Sequence, residues 1–388
     1  ARVFGGDHEP SRKSRTHEGG QEPSAPSRHA HKGSQEPIAI IGASCRLPGG
    51  VTSIEAMWQL LLAGHDAITE VPPERWDVDR WFDPDPAAPG KSTSRWGGFV
   101  SGVEAFDARL FRISPGEAPS LDPHQRLLLE VAWESFEHAG IAPDSRMGSD
   151  TGVFVGASFN EYYMRSSLQP ARINGYSLLN TSHAAFAGRL SYAFGLEGPS
   201  VTTDTACSSS LVSVHLACQA LRARECSLAL AGGANYLTDV EPFIALSKTG
   251  ALSPSGRCRS FSATADGYVR ADGCGLLVLK RLAAAQLDGD RILAVIRGSA
   301  VNQDGRSNGF TAPRGASQAA VSRAALAGAG IEPTSVGFVE CHGTGTPLGD
   351  PVEVRALTQA FRKTTDQKNY CSLGSGKSMI GHLDVAAG

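Results

Sequence analysis

No run of eighteen or more apolar residues occurs in the 388-residue chain, which excludes a transmembrane helix of ordinary length. No positively charged segment followed by an apolar stretch opens it, so no signal peptide is expected. Eight cysteines are present, at Cys45, Cys207, Cys218, Cys226, Cys258, Cys274, Cys341 and Cys371. None forms a CxxC pair, and no His/Cys cluster has zinc-like spacing, so neither a structural metal nor a disulfide framework is expected. Scattered thiols fit a reducing compartment, and the expected location is cytoplasmic, or an organelle in a eukaryote. Charge of one sign is also missing: 36 Lys and Arg against 39 Asp and Glu give a net charge of −3, too little to attract nucleic acid or an anionic membrane. "RADGCG" and "GSGKS" lack the GxxxxGK[ST] spacing of a phosphate loop, and "GLEGPS" is no dinucleotide fingerprint. The local signatures of cysteine proteases are missing as well.

What is present is a globular composition, 41% hydrophobic and 19% charged. Its length points to one large duplicated domain or to two domains. Residues 1–36 are polar and mixed in charge, with four histidines and few large apolar groups. Such a segment buries too little surface to offset its ordering entropy and reads as a disordered linker. Order begins at Pro37 with the apolar run "PIAIIGASC", a buried strand. A helix follows over "SIEAMWQLLLAG", with Ser53 as its N-cap and Gly64 as its stop. Residues 70–100, rich in Pro, Trp, Asp and Gly, form a long irregular excursion. Beyond them strands ("TGVFVGAS", "PSVTTDTA", "LALAGGAN", "GCGLLVLKRL") alternate with helices, the pattern of an α/β fold. A second strand-led series opens near residue 292 with "RILAVIRGSAV" and hints at internal duplication, although the two series share little sequence.

Three stretches combine reactive side chains with glycine- or serine-rich backbone. In "DTACSSSLV", Cys207 lies between a strand and a helix, where free N–H groups and the helix dipole favour a thiolate nucleophile. A single thiol is ordinarily a buried structural residue, and Cys218, on the apolar face of the same helix, is expected to be one. In "VECHGTGTPLGDP", His342 follows an apolar strand and opens a loop carrying Gly343, Gly345 and Gly349. A strand-end histidine there is placed for acid–base work, while Cys341 points to the other side. In "GSGKSMIGHLDVAAG", Lys377 and His382 share another glycine-framed turn. Each stretch alone is weak; one cysteine with two strand-end histidines is a nucleophile-plus-acid/base constellation.

These three motifs resemble those of β-ketoacyl synthase (ketosynthase) domains, and "PIAIIGASCRLPGG", "LDPHQRLLLEVAWESFEHAGI" and "VNQDGRSNGFTAPRGASQ" resemble type I polyketide synthases in particular. The resemblance runs from about Pro37 to the last residue. It implies a thiolase-like α/β fold, two duplicated halves in a layered α-β-α-β-α arrangement, with the first half over 37–290 and the second over 291–388. By carry-over Cys207 accepts the acyl group, while His342 and His382 assist malonyl decarboxylation and stabilise the enolate oxygen, with Lys377 supporting them. Thr344, Thr346, Thr311 and Pro313 are the implied substrate-binding residues. No cofactor is expected to bind directly, the phosphopantetheine being carried by an acyl carrier protein domain. The other implied partners are an acyltransferase domain of the same megasynthase and a second copy in a homodimer. A non-condensing ketosynthase-like module is the alternative, but such modules often lack one histidine and both are present. A thiolase or chalcone-synthase-like enzyme using CoA thioesters carries different residues around its cysteine.

Some positions depart from the usual family text: Met379 for Asn, Asp272 for Glu, His124 for Gln, and Arg314 at a commonly Asn-like position near the acyl pocket. The first residue is Ala, which points to a processed product or a piece of something longer. Members of the family continue past "AAG" through a helix and two strands with a "GFGGTNAH"-like loop that supplies a second oxyanion donor. The expectation is therefore a fragment of a megasynthase with little turnover alone. Normal turnover of acyl and malonyl carrier protein by the purified 388 residues would contradict it.

Overall fold

The computed structural model describes residues 36–158, 161–162, 164, 171, 173–309 and 311–388. Apart from Glu36, the linker expected over 1–36 lies outside the described residues. In chain order the first elements are β1 (Ile38–Arg46), α1 (Ile54–Ala63), β2 (Thr69–Glu70), α2 (Val78–Trp81), β3 (Trp96–Gly97), α3 (Pro123–His138) and β4 (Gly152–Gly156). Next come α4 (His183–Phe194), β5 (Ser200–Thr203), α5 (Ser209–Ala223), β6 (Leu228–Asn235), α6 (Glu241–Lys248), β7 (Gly273–Arg281) and α7 (Leu282–Leu287). The remainder is β8 (Ala294–Ile296), α8 (Gly315–Ala329), β9 (Phe338–Glu340), α9 (Gly349–Phe361), β10 (Ser372–Gly374) and α10 (Lys377–Ile380). Among the described residues no helix is long and apolar enough to cross a membrane.

Local chemistry explains the boundaries. The Ser53 hydroxyl accepts the Ala56 N–H at 3.1 Å to start α1, and Gly64 ends it at φ 60, a left-handed stop that glycine adopts without a Cβ clash. Asp122 caps α3 by accepting the His124 N–H at 2.8 Å, with Pro123 in the first turn. The excursion over 70–100 is pinned to the core by Arg75, which donates to Asp272 at 2.7 Å and to the Val100 and Leu237 carbonyls. Asp272 also accepts the N–H groups of Val100 and Leu237 at 2.9 and 2.7 Å. The shorter acid at this family-variant position thus has charged and neutral partners for a wholly buried carboxylate.

Six strands make one mixed sheet in the order β5-β4-β6-β7-β1-β8. β4 runs parallel to β5 and β6, while the β6–β7, β7–β1 and β1–β8 pairs are antiparallel. Side chains alternate across it. Val153, Val155, Leu230 and Val278 pack on Leu128, Phe136, Phe186 and Leu190 of α3 and α4. Phe154, Ala229, Ala231 and Leu279 pack on Ala217, Cys218 and Leu221 of α5. Cys218 is a core residue, as its place on the apolar face predicts. β8, which opens the second strand-led series, pairs with β1 (Ile38 opposite Ile296). β9 and β10 form a separate parallel pair, beside which α8 and α9 bury Ala319, Ala356 and Ala360 together.

Helix α5 lies unusually close to the sheet. A Cβ built on Gly156 would fall 2.8 Å from the Ser209 Cβ and backbone, so only glycine lets the helix approach. Gly156→Ala is expected to cost about 1–3 kcal/mol through overpacking and to displace the start of α5. Urea unfolding and the alkylation rate of Cys207 check both, and an unchanged midpoint and rate would contradict the packing.

Candidate active site

Cys207 follows the carboxyl end of β5, the end of a parallel strand where α/β sheets commonly place ligands. The turn before it is tight: Ala206 adopts a left-handed φ of 53, a conformation that costs a non-glycine residue on the order of 1–3 kcal/mol. Hydrogen bonds hold it there. The Ser209 hydroxyl accepts the Thr205 N–H at 2.8 Å and donates to the Ala206 carbonyl at 2.6 Å, and the Asp204 carboxylate accepts the Ala206 N–H at 3.0 Å. Ser208 is the residue preceding the first helical position, Ser209. The serines thus build the elbow and start the helix.

His342 follows the carboxyl end of β9. Its loop is shaped by two carboxylates of α9 that the motif alone does not single out. Glu353 accepts the N–H groups of His342 and Gly343 at 2.6 and 2.8 Å. Asp350 accepts those of Phe261 and Gly345 at 2.7 and 3.2 Å. Gly345 sits at φ 76, where a Cβ would come 2.6 Å from the Arg259 nitrogen. The signal is present in "GDPVE", two acids opening a helix, but nothing in the sequence says which N–H groups they reach.

His382 follows α10 and is 1% exposed. Its backbone is stitched to the segment before β7, donating to Val269 at 2.7 Å and accepting from Ala271 at 2.8 Å. Nδ1 of His382 accepts the Asp384 N–H at 2.9 Å, so the proton of the neutral ring belongs on Nε2. One ligating atom each of Cys207, His382 and Asp384 lies within 4.8 Å of the others. The His342 ring stands 5.5 Å from that of His382, nearly perpendicular to it. Tyr268 packs on His382 from another side, at 5.1 Å. Lys377 is buried at the start of α10.

Burial dominates the electrostatics. It pushes the Cys207 thiol up to about 11, Asp384 adding to the rise and a backbone hydrogen bond, Lys377 and Arg270 opposing it. The expected thiolate at the helix start is therefore corrected: desolvation outweighs the dipole, and the resting group is the thiol. His382 is pushed down to about 3, burial first, so it stays neutral at physiological pH. His342, an exposed residue, is nonetheless lowered, first by desolvation and then by Lys377. Burial also lowers the Lys377 ammonium.

Cys207 after β5, His342 after β9, and Lys377 and His382 at the two ends of α10 thus converge. The strand-end placement expected of His382 is corrected, because the short helix α10 lies between β10 and it. Thr344 is buried and its hydroxyl lies 3.2 Å from that of Thr346, which accepts the Gly349 N–H; these hydroxyls brace the loop. Thr311 is exposed and Pro313 half-buried in the segment leading to α8, where Arg314 binds Asp304 rather than the cluster. Among the described residues no hydrogen bond joins Thr311 to Cys207, His342 or His382. Of the other departures, His124 is buried against Asp122 at 2.7 Å and accepts the Tyr236 N–H, and Met379 is packed beside Ile380.

The family described as beta-ketoacyl synthase, N-terminal domain, matches residues 35–285, and its C-terminal domain counterpart matches residues 293–388. Among curated proteins the chain is 55% identical over 354 residues to one polypeptide of the phenolphthiocerol/phthiocerol polyketide synthase of Mycobacterium tuberculosis, covering 91% of this chain and 19% of that protein. Another polypeptide of the same synthase is 53% identical over 353 residues, covering 91% and 23%. The chain thus spans about a fifth of the length of these relatives. Among solved structures, the oxazolomycin ketosynthase domain of Streptomyces albus JA3453 superposes with a TM-score of 0.87 at 43% identity, covering 91% of this chain and 60% of that one. The ketosynthase from module 6 of the bacillaene synthase of Bacillus subtilis 168 gives 0.83 at 40% identity, covering 91% and 59%.

Two histidines held below their ordinary value leave a mark on stability. Below pH 6.5 these two side chains take up protons in the unfolded chain that they refuse in the folded one, so their contribution to stability is full above that pH and is lost as pH drops toward 3. His382 alone is expected to remove about 2 kcal/mol between pH 7 and pH 5. Urea midpoints of the chain and of His382→Gln check this; equal pH slopes in the two would contradict it.

Proposed function

The chain belongs to the β-ketoacyl synthase family, and from that premise we propose that it catalyses decarboxylative Claisen condensation in polyketide synthesis, as an acyltransferase. The observation that carries this reading is the meeting of one thiol with two neutral histidines, two of the three groups following strands and His382 following α10. The acyl group enters as a thioester on the phosphopantetheine of an acyl carrier protein, and the Cys207 sulfur attacks its carbonyl. The carrier's sulfur leaves, and the proton given up by Cys207 ends on it. Exchange of one thioester for another is nearly balanced in energy, and a protonated resting thiol requires that its proton leave as the sulfur attacks, since the thiolate is the nucleophile.

A malonyl or substituted malonyl thioester then loses carbon dioxide, and the electrons of the broken carbon–carbon bond form an enolate. Neutral His382, with its proton on Nε2, and neutral His342 can each donate a hydrogen bond to the enolate oxygen; donors fixed in place before charge develops are the effective kind. The enolate carbon attacks the acyl-Cys207 carbonyl, a carbon–carbon bond forms, and the Cys207 sulfur departs as a thiolate and takes a proton from solvent. Lys377 adds positive charge that keeps the histidines deprotonated and moderates the rise of the thiol.

In the same reading the two halves divide near residue 290, and Thr344, Thr346, Thr311 and Pro313 line the substrate path. An acyl carrier protein and an acyltransferase domain of the same megasynthase are the partners. A homodimer is supported by β5, which lies at the edge of the sheet with Val201 exposed, an unpaired strand of the kind proteins usually cover.

With a thioester probe, Cys207→Ala is expected to abolish acylation in the complete domain. His342→Ala and His382→Ala are each expected to lower malonyl decarboxylation by about 10²–10³, the usual loss of one oxyanion donor, while acylation of Cys207 persists. Decarboxylation at the unsubstituted rate in either histidine variant would overturn the assigned roles.

A further inference from the structure

Arg270 has the largest of the wholly buried side chains and is 1% exposed. Its Nε and Nη2 both donate to Oδ2 of Asp384, at 2.9 and 2.8 Å. The Glu161 carboxylate approaches Nη2 at 3.9 Å and is itself fixed by the N–H and hydroxyl of Thr238 and the N–H of Asp239. The Phe243 ring lies 5.3 Å from the guanidinium carbon. A guanidinium held on these sides does not wander, and a buried cation without its carboxylate would be costly.

Asp384 is the residue that this pair controls. It adopts a left-handed φ of 44, its N–H is the bond that places the proton of His382 on Nε2, and its carboxylate lies within 4.8 Å of the Cys207 sulfur and of a His382 ring nitrogen. We propose that Arg270 is a positioning residue for the reaction at Cys207: by pairing with Asp384 it holds the turn that fixes the His382 tautomer and cancels the field of the carboxylate at the thiol. The charged and titratable groups around Cys207 are Asp384, Arg270, Lys377, His382 and Tyr268, with His342 beyond His382 at 5.5 Å between rings. Asp384 opposes ionisation of the thiol, and Arg270 and Lys377 favour it. A solvent-exposed pair contributes little, but here the guanidinium is wholly buried and the carboxylate largely so, next to the atom that must shed a proton.

The test is the rate of Cys207 alkylation by iodoacetamide between pH 6.5 and 10 in the full chain, with the modified site located by peptide mass. Arg270→Gln leaves Asp384 uncompensated and is expected to slow alkylation at pH 8 about tenfold, equivalent to a thiol held one pH unit higher. Asp384→Asn is expected to speed it, Arg270→Lys to stay near the unsubstituted rate, and the Arg270→Gln, Asp384→Asn double variant to return toward it. A folded Arg270→Gln chain alkylated at the unsubstituted rate, or a double variant as slow as the single, would overturn the proposal. Where Arg270→Gln does not fold, Asp384→Asn decides: an unchanged rate overturns the field at the thiol. The proposal rests on Cys207 being the reacting thiol. A Cys207 that is alkylated with this pattern yet never acylated by a thioester would sink the condensing reading and leave the role of Arg270 standing.

Discussion

The site depends on how closely α5 lies on the sheet. Gly156 and Gly233 face Ser209 and Ser210 across that contact, and a Cβ on Gly233 would lie 3.1 Å from the Val385 carbonyl and 3.2 Å from the Ser210 Cβ. Two consequences follow from one set of small side chains. The start of α5 sinks toward the end of β5 and carries Cys207 into the protein, and the turn at Asp384–Ala386 packs over the same ground, bringing His382 and Asp384 to the thiol. The Ser210 hydroxyl accepts the Gly388 N–H at 2.8 Å and ties the two together. Larger residues in the contact would separate nucleophile and histidine by a side-chain width, and catalytic geometry does not tolerate such a gap.

The same closeness sets the charge states. An exposed helix start favours an anion by about 0.3–1 kcal/mol. The rise of the Cys207 thiol from 9.0 to about 11 corresponds to roughly 3 kcal/mol against ionisation. Burial wins, and it acts on His382 in the opposite direction, keeping the ring uncharged. A neutral thiol beside neutral histidines leaves Lys377 as the charge within the cluster until the substrate develops its own. Arg270 and Asp384 put a full ion pair next to this cluster, with the two charges on each other rather than on the reacting atoms.

Much of this was legible in the sequence. The caps of α1, the alternation of strand and helix, and the placement of Cys207 and His342 just past strands are local features written in adjacent residues, whereas the short helix before His382 is not legible in them. Less legible were the groups that hold the site, because their partners are remote: Arg270 and Asp384 are 114 positions apart, and Arg75 reaches Asp272 across 197. The "YVRADG" and "GHLDV" stretches each show a charge in an otherwise apolar or small-residue setting, which marks a buried pair without naming its other half. The ionisation of Cys207 was misjudged for a related reason. A helix start is visible in sequence, whereas the atoms that take water away from it come from elsewhere in the chain. Pairing of β8 with β1 belongs to the same class, since a three-residue apolar strand carries no record of its neighbour.

The central claim is that His382, beside a protonated Cys207, is neutral and carries its proton on Nε2. Nitrogen-15 correlation spectra of the histidine rings across pH 5 to 8 test it directly. The account predicts a His382 ring with the proton on Nε2 throughout and no titration in that range. A ring that titrates near its ordinary value of 6.5, or one that carries its proton on Nδ1, would contradict it.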